Sequence, residues 1–154
     1  MKTVVLAVGH VREAPLRLVC EDYIKRIRRF GRIEVVEVKA GHGREPKKAR
    51  ELEAERLLKH LPAGVRTVAL DERGATRTSL ELSRWLAELQ TRGTRELRFV
   101  VGGAWGLSSK ITTRCDESLR LSSMTLPHEL ARVVLLEQYY RAWTILRGLP
   151  YHNP

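Results

Sequence analysis

The sequence predicts an α/β domain with a mainly parallel sheet flanked by helices. Short runs rich in β-branched residues alternate with longer segments whose apolar residues repeat at helical spacing. Strands that lie parallel need crossover connections, and helices usually supply them. The chain has 154 residues and no internal repeats, so we expect residues 1–154 to form one domain.

Five segments are predicted as strands because they combine apolar and β-branched residues over a short length. They cover residues 3–9, 32–39, 65–70, 97–101 and 117–121. Glu34 and Glu37 interrupt the second segment, which indicates a less buried strand at an edge of the sheet. Asp71–Gly74 is expected to end the third segment.

Five other segments are predicted as helices from their apolar periodicity and their end signals. They cover residues 14–30, 47–61, 78–92, 108–114 and 127–147. Thr78 followed by Glu81 has the spacing of a capping box, so the third helix should begin there. Pro127 opens the last helix, because proline suits the first helical turn, and Gly148 ends it.

The charge of the chain favours binding to a polyanion. Lysine and arginine number 28 against 18 aspartate and glutamate residues, and 21 of the 28 cations are arginines. The formal net charge of +10 is spread over both halves of the chain. Guanidinium groups suit phosphate oxygens, and such contacts dominate affinity for nucleic acids. Residues 25–29 and 41–48 are candidates for these contacts, the alternative being an ordinary solvated surface.

The sequence also disfavours several classes of protein. The longest stretch without a charged residue, Phe99–Ser109, has eleven residues, well short of the ~20 that cross a bilayer. Cys20 and Cys115 lie far apart in the chain, which favours reduced thiols and a cytoplasmic location. The five histidines lack metal-ligand spacing, so no metal is expected. Motifs for dinucleotide, P-loop and serine-hydrolase sites are absent.

Three predicted strand ends carry residues suited to ligand binding. In open parallel sheets, ligands bind beyond the carboxyl ends of the strands. The three segments are Leu70–Gly74, Gly102–Gly106 and Leu121–His128. Gly102 and Gly103 let a ligand approach the backbone closely, or they simply end a strand. Both interpretations stay open at this point.

Two side chains of the last predicted helix also leave alternatives open. His128 lies in its first turn, where it is either a structural residue or lines a pocket. Glu137 lies near the apolar stripe of that helix. A carboxylate there has a buried partner such as Arg141, belongs to an interface, or sits at the edge of the surface.

Four motifs occur in order along the chain. They are Val100–Leu107, Leu121–His128, Tyr140–Trp143 and Pro150–His152. Together they resemble the RlmH family of SPOUT-class methyltransferases. The match covers the whole length, including Ala7–Gly9 near the start and the turn at Leu70–Asp71.

This resemblance implies a fold and an activity that periodicity does not reveal. The implied fold is a SPOUT α/β-knot, in which the C-terminal part of a parallel sheet forms a trefoil knot. The implied reaction is methylation of N3 of a pseudouridine in 23S ribosomal RNA, on the assembled ribosome, with S-adenosyl-L-methionine as cofactor. Members of the family act as homodimers, and the target nucleotide meets the cofactor near the subunit interface.

The resemblance also assigns roles to residues at matching positions. The implied cofactor-binding residues are Leu70, Gly102, Leu121, Ser122, Ser123, Met124, Thr125 and Leu126. Arg141, Tyr151 and His152 match the C-terminal residues that take part in catalysis. Arg141 is expected to stabilise the anion that forms when N3 loses its proton, with His152 as a proton acceptor or base-orienting group.

The chain departs from some relatives at two places. Ala104–Trp105 stands where some members have Pro-Glu, and Asn153 stands where some have a basic residue. Contacts by those side chains are therefore not carried over. The alternative function, favoured by the net charge and by the lack of an obvious catalytic carboxylate or cysteine, is a non-catalytic RNA-binding or ribosome-associated module.

Overall fold

The computed structural model describes residues 1–43 and 45–153, in which strands and helices alternate along the chain as predicted. The strands are β1 (Lys2–Val8), β2 (Ile33–Val38), β3 (Arg66–Thr76), β4 (Glu96–Val101) and β5 (Glu117–Arg120). The helices are α1 (Ala14–Ile27), α2 (Pro46–Leu58), α3 (Ser79–Thr91), α4 (Ser109–Arg114) and α5 (His128–Leu146). Arg44, part of the predicted basic segment 41–48, and Pro154 lie outside the described residues.

The strands form one sheet in the order β2-β1-β4-β3-β5, and every neighbouring pair is parallel. The expected edge position of the second strand is confirmed. Alternate residues of β1 point to opposite faces, as a pleated strand requires. Val5 joins a large core with α1, α3 and α5, whereas Leu6 joins a smaller core with α2 and α4. The parallel sheet therefore lies between two helical layers, and the predicted fold class is confirmed.

The predicted end of the third strand at Asp71–Gly74 is wrong. β3 continues to Thr76 and pairs with β5 on both sides of a shift in register between Leu70 and Ala75. A Cβ on Gly74 would lie 2.6 Å from the carbonyl carbon of Ser118, so only glycine permits this close approach of two backbones. The segment is a bulge rather than a strand end because pairing with β5 outweighs its local turn preference.

The start of α3 follows the sequence signal closely. The Thr78 side chain accepts a hydrogen bond from the backbone N–H of Glu81 at 3.2 Å, and the Glu81 carboxylate accepts one from the N–H of Thr78 at 2.7 Å. The predicted capping box is confirmed. The hydrogen bonds from Thr78 lower the pKa of Glu81, since they stabilise its charged form.

Cys20 and Cys115 are both buried free thiols. Burial raises the pKa of each thiol, because it disfavours the thiolate. Both are therefore core residues in their unreactive form. None of the helices in the described part of the chain combines the length and apolar character that crossing a membrane requires.

Candidate functional site

The implied cofactor-binding residues lie at one edge of the sheet. Because β4, β3 and β5 are adjacent and parallel, their carboxyl ends meet there. Leu70 lies at the bulge of β3, Gly102 follows β4, and Leu121–Leu126 follows β5. The structure thus brings together three segments that are separate in the sequence. We call residues 102–107 the glycine loop and residues 121–127 the β5 loop.

The glycine loop closes on itself through its backbone. The N–H of Gly106 donates to the carbonyl of Gly103 at 3.0 Å, and the two residues form an isolated antiparallel bridge. A Cβ on Gly102 would lie 2.7 Å from the carbonyl carbon of Gly106. Gly102 is therefore required by the closure of the loop itself, whether or not a ligand approaches it.

The β5 loop is held by side-chain contacts to its backbone. The guanidinium group of Arg120 donates to the carbonyls of Ser122 at 2.9 Å and Ser123 at 3.2 Å. The Ser122 hydroxyl accepts a hydrogen bond from the N–H of Met124 at 2.9 Å. The Met124 side chain is 77% exposed, while Leu121 packs partly against the large core. The loop is ordered by its own contacts and leaves an apolar side chain available to a ligand or a partner.

A cleft of about 630 Å³ opens at the same edge, beside the glycine loop. It extends from the ends of β1 and β2 to Gly103 and Trp105 of the glycine loop. His128 lines this cleft, as one of the two alternatives left open for that residue expects. Trp105, at one of the departures from relatives, is 50% exposed.

Two buried charged residues that support this edge were missed by the sequence analysis. Glu53 of α2 is 4% exposed, lies against Gly103, and accepts a hydrogen bond from the N–H of Gly41 at 2.9 Å. Arg132 of α5 is 3% exposed and donates to Glu37 at 2.5 Å and to the Gly9 carbonyl at 2.9 Å.

A signal for both residues was present in the helical spacing. Glu53 stands four residues before the buried Leu57, and Arg132 stands three and four residues before the buried Leu135 and Leu136. Positions at this spacing share a helix face. A charged residue on an apolar face indicates a specific buried partner.

The implied catalytic residues Arg141, Tyr151 and His152 lie together with Glu137 in a second group, which we call the C-terminal cluster. Two guanidinium nitrogens of Arg141 donate to one oxygen of Glu137, at 3.0 and 2.6 Å. The Tyr151 hydroxyl donates to the same oxygen at 3.1 Å. His152 Nδ1 lies 3.5 Å from Arg141 Nη1. Glu137 therefore has Arg141 as its partner, one of the alternatives left open.

The electrostatics of the cluster keep two of its members protonated. The hydrogen bonds from Arg141 to Glu137 raise the pKa of the guanidinium group. Burial, followed by the hydrogen bond with Tyr23 and the nearby charge of Glu137, raises the pKa of Tyr151 well above its usual range. Arg141 is a fixed cation and Tyr151 a neutral hydrogen-bond donor near neutral pH, so neither can accept a proton from a substrate.

Within one chain, the implied cofactor-binding residues and the C-terminal cluster lie at opposite ends of the sheet. α5 begins at His128 beside the carboxyl edge and packs along α1 and α3, which return from that edge. Arg141 is thirteen residues further along α5, about 20 Å at 1.5 Å per residue. The Tyr151 ring lies against Tyr140, at a centroid distance of 4.8 Å. The Tyr151 hydroxyl meets Tyr23 near the end of α1 at 3.1 Å.

Comparison with known proteins shows which family the chain belongs to. The family model described as "Predicted SPOUT methyltransferase" matches residues 1–152. The chain belongs to this family. Within it, the chain falls among the RlmH proteins, in agreement with the resemblance carried by the four motifs.

Several SPOUT relatives named "Ribosomal RNA large subunit methyltransferase H" match nearly the full length. The protein from Geobacter sp. (strain M21) is 42% identical over 153 residues, covering 99% of each chain. That from Gemmatimonas aurantiaca is 44% identical over 155 residues, covering 99% of this chain and 100% of the relative. That from Anaeromyxobacter sp. (strain Fw109-5) is 46% identical over 158 residues, covering 99% of this chain and 100% of the relative.

Two solved structures share the fold of this chain at low sequence identity. A methylase-family protein from Neisseria gonorrhoeae has a TM-score of 0.54 at 14% identity, covering 99% of this chain and 86% of that one. A probable methyltransferase from Bordetella pertussis Tohama I has a TM-score of 0.55 at 16% identity, covering 92% of this chain and 95% of that one. These likenesses concern the fold, and the trefoil knot itself stays a prediction.

Among residues 1–43 and 45–153, His, Cys, Asp and Glu side chains form no group of three or more that could hold a metal ion.

Proposed function

We propose that this protein is a cytoplasmic, S-adenosyl-L-methionine-dependent methyltransferase that methylates N3 of a pseudouridine in 23S ribosomal RNA on the assembled ribosome. The observation that carries the proposal is the meeting of Leu70, the glycine loop and the β5 loop at one edge of the sheet, in a chain of the RlmH family. The net charge of +10 supports a nucleic-acid substrate.

The residues at this edge fit the proposed cofactor. Leu70 and Leu121 are half-buried against the large core, and Met124 is exposed. Apolar side chains beside a glycine backbone suit a ligand that combines a flat adenine ring with an amino-acid moiety. Leu70, Gly102 and residues 121–126 would hold the cofactor. When bound, S-adenosyl-L-methionine supplies an electrophilic methyl group carried by a sulfonium ion.

The C-terminal cluster would prepare the nucleotide. Glu137 fixes Arg141 through two hydrogen bonds, so the guanidinium group is oriented before the substrate arrives. This cation would stabilise the negative charge that develops when the imide N3 loses its proton. Tyr151 would donate a hydrogen bond, and His152 would accept the N3 proton or orient the base. Holding the nitrogen close to the methyl donor supplies much of the rate enhancement.

The positions of the cofactor-binding residues and the C-terminal cluster support a homodimer as part of the proposal. One chain places the C-terminal cluster far from the carboxyl edge, so the cluster would act on a cofactor held by a second copy. Two-fold symmetry would then form two composite sites.

Mixed dimers test this arrangement. We would combine subunits carrying Arg141→Ala with subunits carrying Leu126→Arg, which places a cation against the proposed cofactor site. Each variant alone is expected to be inactive. Random reassociation should restore roughly a quarter of the wild-type activity, because half of the dimers are mixed and each has one intact site. Light scattering checks the dimer, and a monomer, or a mixture that stays inactive, would contradict the composite site.

The reaction is tested with radiolabelled S-adenosyl-L-methionine on whole ribosomes, isolated large subunits and naked 23S RNA. We expect transfer mainly to whole ribosomes, with the label mapping to N3 of a pseudouridine. Efficient modification of naked RNA would contradict the assembled-ribosome part of the proposal.

The net charge also favours a second candidate, a non-catalytic RNA-binding or ribosome-associated module. Calorimetry with S-adenosyl-L-methionine separates the two candidates. Micromolar binding supports the enzyme, and a lack of binding supports the module.

A further inference from the structure

A hollow lined by arginines lies at the end of the sheet opposite the glycine loop and the β5 loop. It has a volume of about 580 Å³ and is formed by residues 28–34, the turn that connects α1 to β2. Arg28, Arg29 and Arg32 are all exposed at this turn. Three guanidinium groups are thus concentrated within five positions of the chain.

The arginines of this turn have no carboxylate as an ion-pair partner among the described residues. Across residues 1–43 and 45–153, Arg28, Arg29 and Arg32 form no ion pair, whereas many other cations do. A carboxylate that lines the hollow, that of Glu34, lies 2.9 Å from the ammonium group of Lys2. The hydrogen bond from Lys2 also lowers the pKa of Glu34, which keeps it ionised and paired with Lys2. The hollow therefore has an excess of positive charge.

Strand pairing extends the row of cations across the sheet. The carbonyl of Arg32 accepts from the N–H of Thr3, and the carbonyl of Arg95 accepts from the N–H of Lys2, both at 2.8 Å. The start of β1 therefore lies between Arg32 and Arg95, which places the two backbones about 10 Å apart at the usual strand spacing. Arg95 is also exposed, and it too lacks an ion pair within the described residues.

The turn is fixed to the aromatic residues that support the C-terminal cluster. The Phe30 ring stacks on Trp143 with a centroid distance of 5.9 Å and an interplanar angle of 6°. It also packs against Tyr140 at 5.9 Å, and Tyr140 packs against Tyr151 at 4.8 Å. Two ring contacts thus separate the arginine turn from Tyr151. Any RNA whose target nucleotide reaches the C-terminal cluster passes close to this turn.

We propose that Arg28, Arg29 and Arg32, extended by Arg95, form a docking surface for the phosphates of the RNA strand that flanks the target nucleotide. This inference rests on the proposed function, which places the target at the C-terminal cluster. Guanidinium forks bind phosphate oxygens through paired hydrogen bonds. Stabilisation of the end of α1 does not explain the cluster, since that effect is confined to the last turn and Arg32 lies beyond the helix.

The test compares two triple variants with equal loss of charge. The first carries Arg28→Gln, Arg29→Gln and Arg32→Gln. The matched control carries Lys59→Gln, Arg84→Gln and Arg92→Gln, all exposed, with Lys59 and Arg92 at the ends of α2 and α3 as Arg28 is at the end of α1. The control therefore also reports the effect of removing cations from helix ends.

The probe is a fluorescent single-stranded RNA of 20 nucleotides, and its affinity is measured at several salt concentrations. Each lost phosphate contact should reduce the magnitude of the slope of log K against log salt by about 0.7. The first variant loses three such contacts, so the magnitude of its slope should fall by about 2. We expect at least a tenfold weaker affinity for it and less than a threefold change for the control. Equal losses in both variants, or none in the first, would overturn the proposal.

Catalytic measurements separate this proposal from the proposed function. On ribosomes, the first variant should raise KM while leaving kcat and the affinity for S-adenosyl-L-methionine unchanged. If the wild-type protein transfers no methyl group, the proposed function fails, whereas the RNA-binding measurement still decides on the docking surface. Should the triple variant unfold, Arg29→Gln and Arg32→Gln are tested singly, each with an expected loss of about 0.7 in slope.

Discussion

The carboxyl edge and the C-terminal cluster are built in different ways. At the carboxyl edge, close backbone contacts define the glycine loop, in which a Cβ on Gly102 would meet Gly106. In the C-terminal cluster, one side chain, Glu137, holds Arg141 and Tyr151 through hydrogen bonds. The first region should be sensitive to the shape of the backbone and the second to charge and protonation. Substitutions that change only shape or only charge can therefore separate them.

The broadest effect is expected from Gly102→Ala, which should change both stability and cofactor binding. The added Cβ meets backbone atoms of Gly106, which cannot rotate away as a side chain could. Overpacking of this kind costs about 1–3 kcal/mol, and it should displace the loop. We expect a lower unfolding temperature and at least tenfold weaker binding of S-adenosyl-L-methionine, measured by thermal scans and calorimetry. Gly31→Ala is the control, since its Cβ would make an ordinary contact at 3.4 Å, and wild-type affinity in Gly102→Ala would contradict the prediction.

Glu137→Gln should act on catalysis without affecting the cofactor. The change keeps the shape of the side chain and removes the charge that orients Arg141. A charge-assisted hydrogen bond contributes about 1.5–3 kcal/mol, which corresponds to a loss of about 10-fold to 100-fold in kcat. Single-turnover methyl transfer measures this loss, and calorimetry should give an unchanged cofactor affinity. Glu88→Gln, which removes an exposed carboxylate 3.8 Å from Arg92, is the control and should retain full activity.

His152→Ala tests the role of the residue at the edge of the cluster. Its Nδ1 lies 3.5 Å from Arg141, so its removal should leave the Arg141–Glu137 pair in place. We expect a loss of about 10²-fold or less in transfer rate, since water can replace a proton acceptor in part. A variant with the full transfer rate would remove His152 from the mechanism.

The smallest effect concerns stability at high pH. The pKa of Tyr151 is raised in the folded protein, so its neutral form is favoured there. The resulting stabilisation is complete below the pKa of about 10 for an unfolded tyrosine and is lost as pH rises from there toward the folded value. Between pH 9 and 11, the wild-type unfolding temperature should therefore fall more steeply than that of Tyr151→Phe. Parallel curves for the two proteins would show that Tyr151 does not contribute.

Local signals explain which parts of the fold were predictable. The capping box at Thr78 depends on residues three positions apart, and it is present as expected. The extension of β3 through Gly74 was missed because it depends on pairing with β5, more than 40 residues further along the chain. Local turn preference and distant strand pairing competed there, and the pairing prevailed.

The sequence by itself determined the α/β alternation, the basic charge and the motifs that indicate the RlmH family, because these depend on composition and on short spacings. Only the tertiary structure decided that Glu137 holds Arg141 and Tyr151, and that Glu53 and Arg132 are buried beneath the cleft edge. Only the tertiary structure also revealed that the glycine loop and the β5 loop lie far from the C-terminal cluster within one chain. The direction of α5 and the order of the strands set that separation, and both depend on packing between segments far apart in the chain.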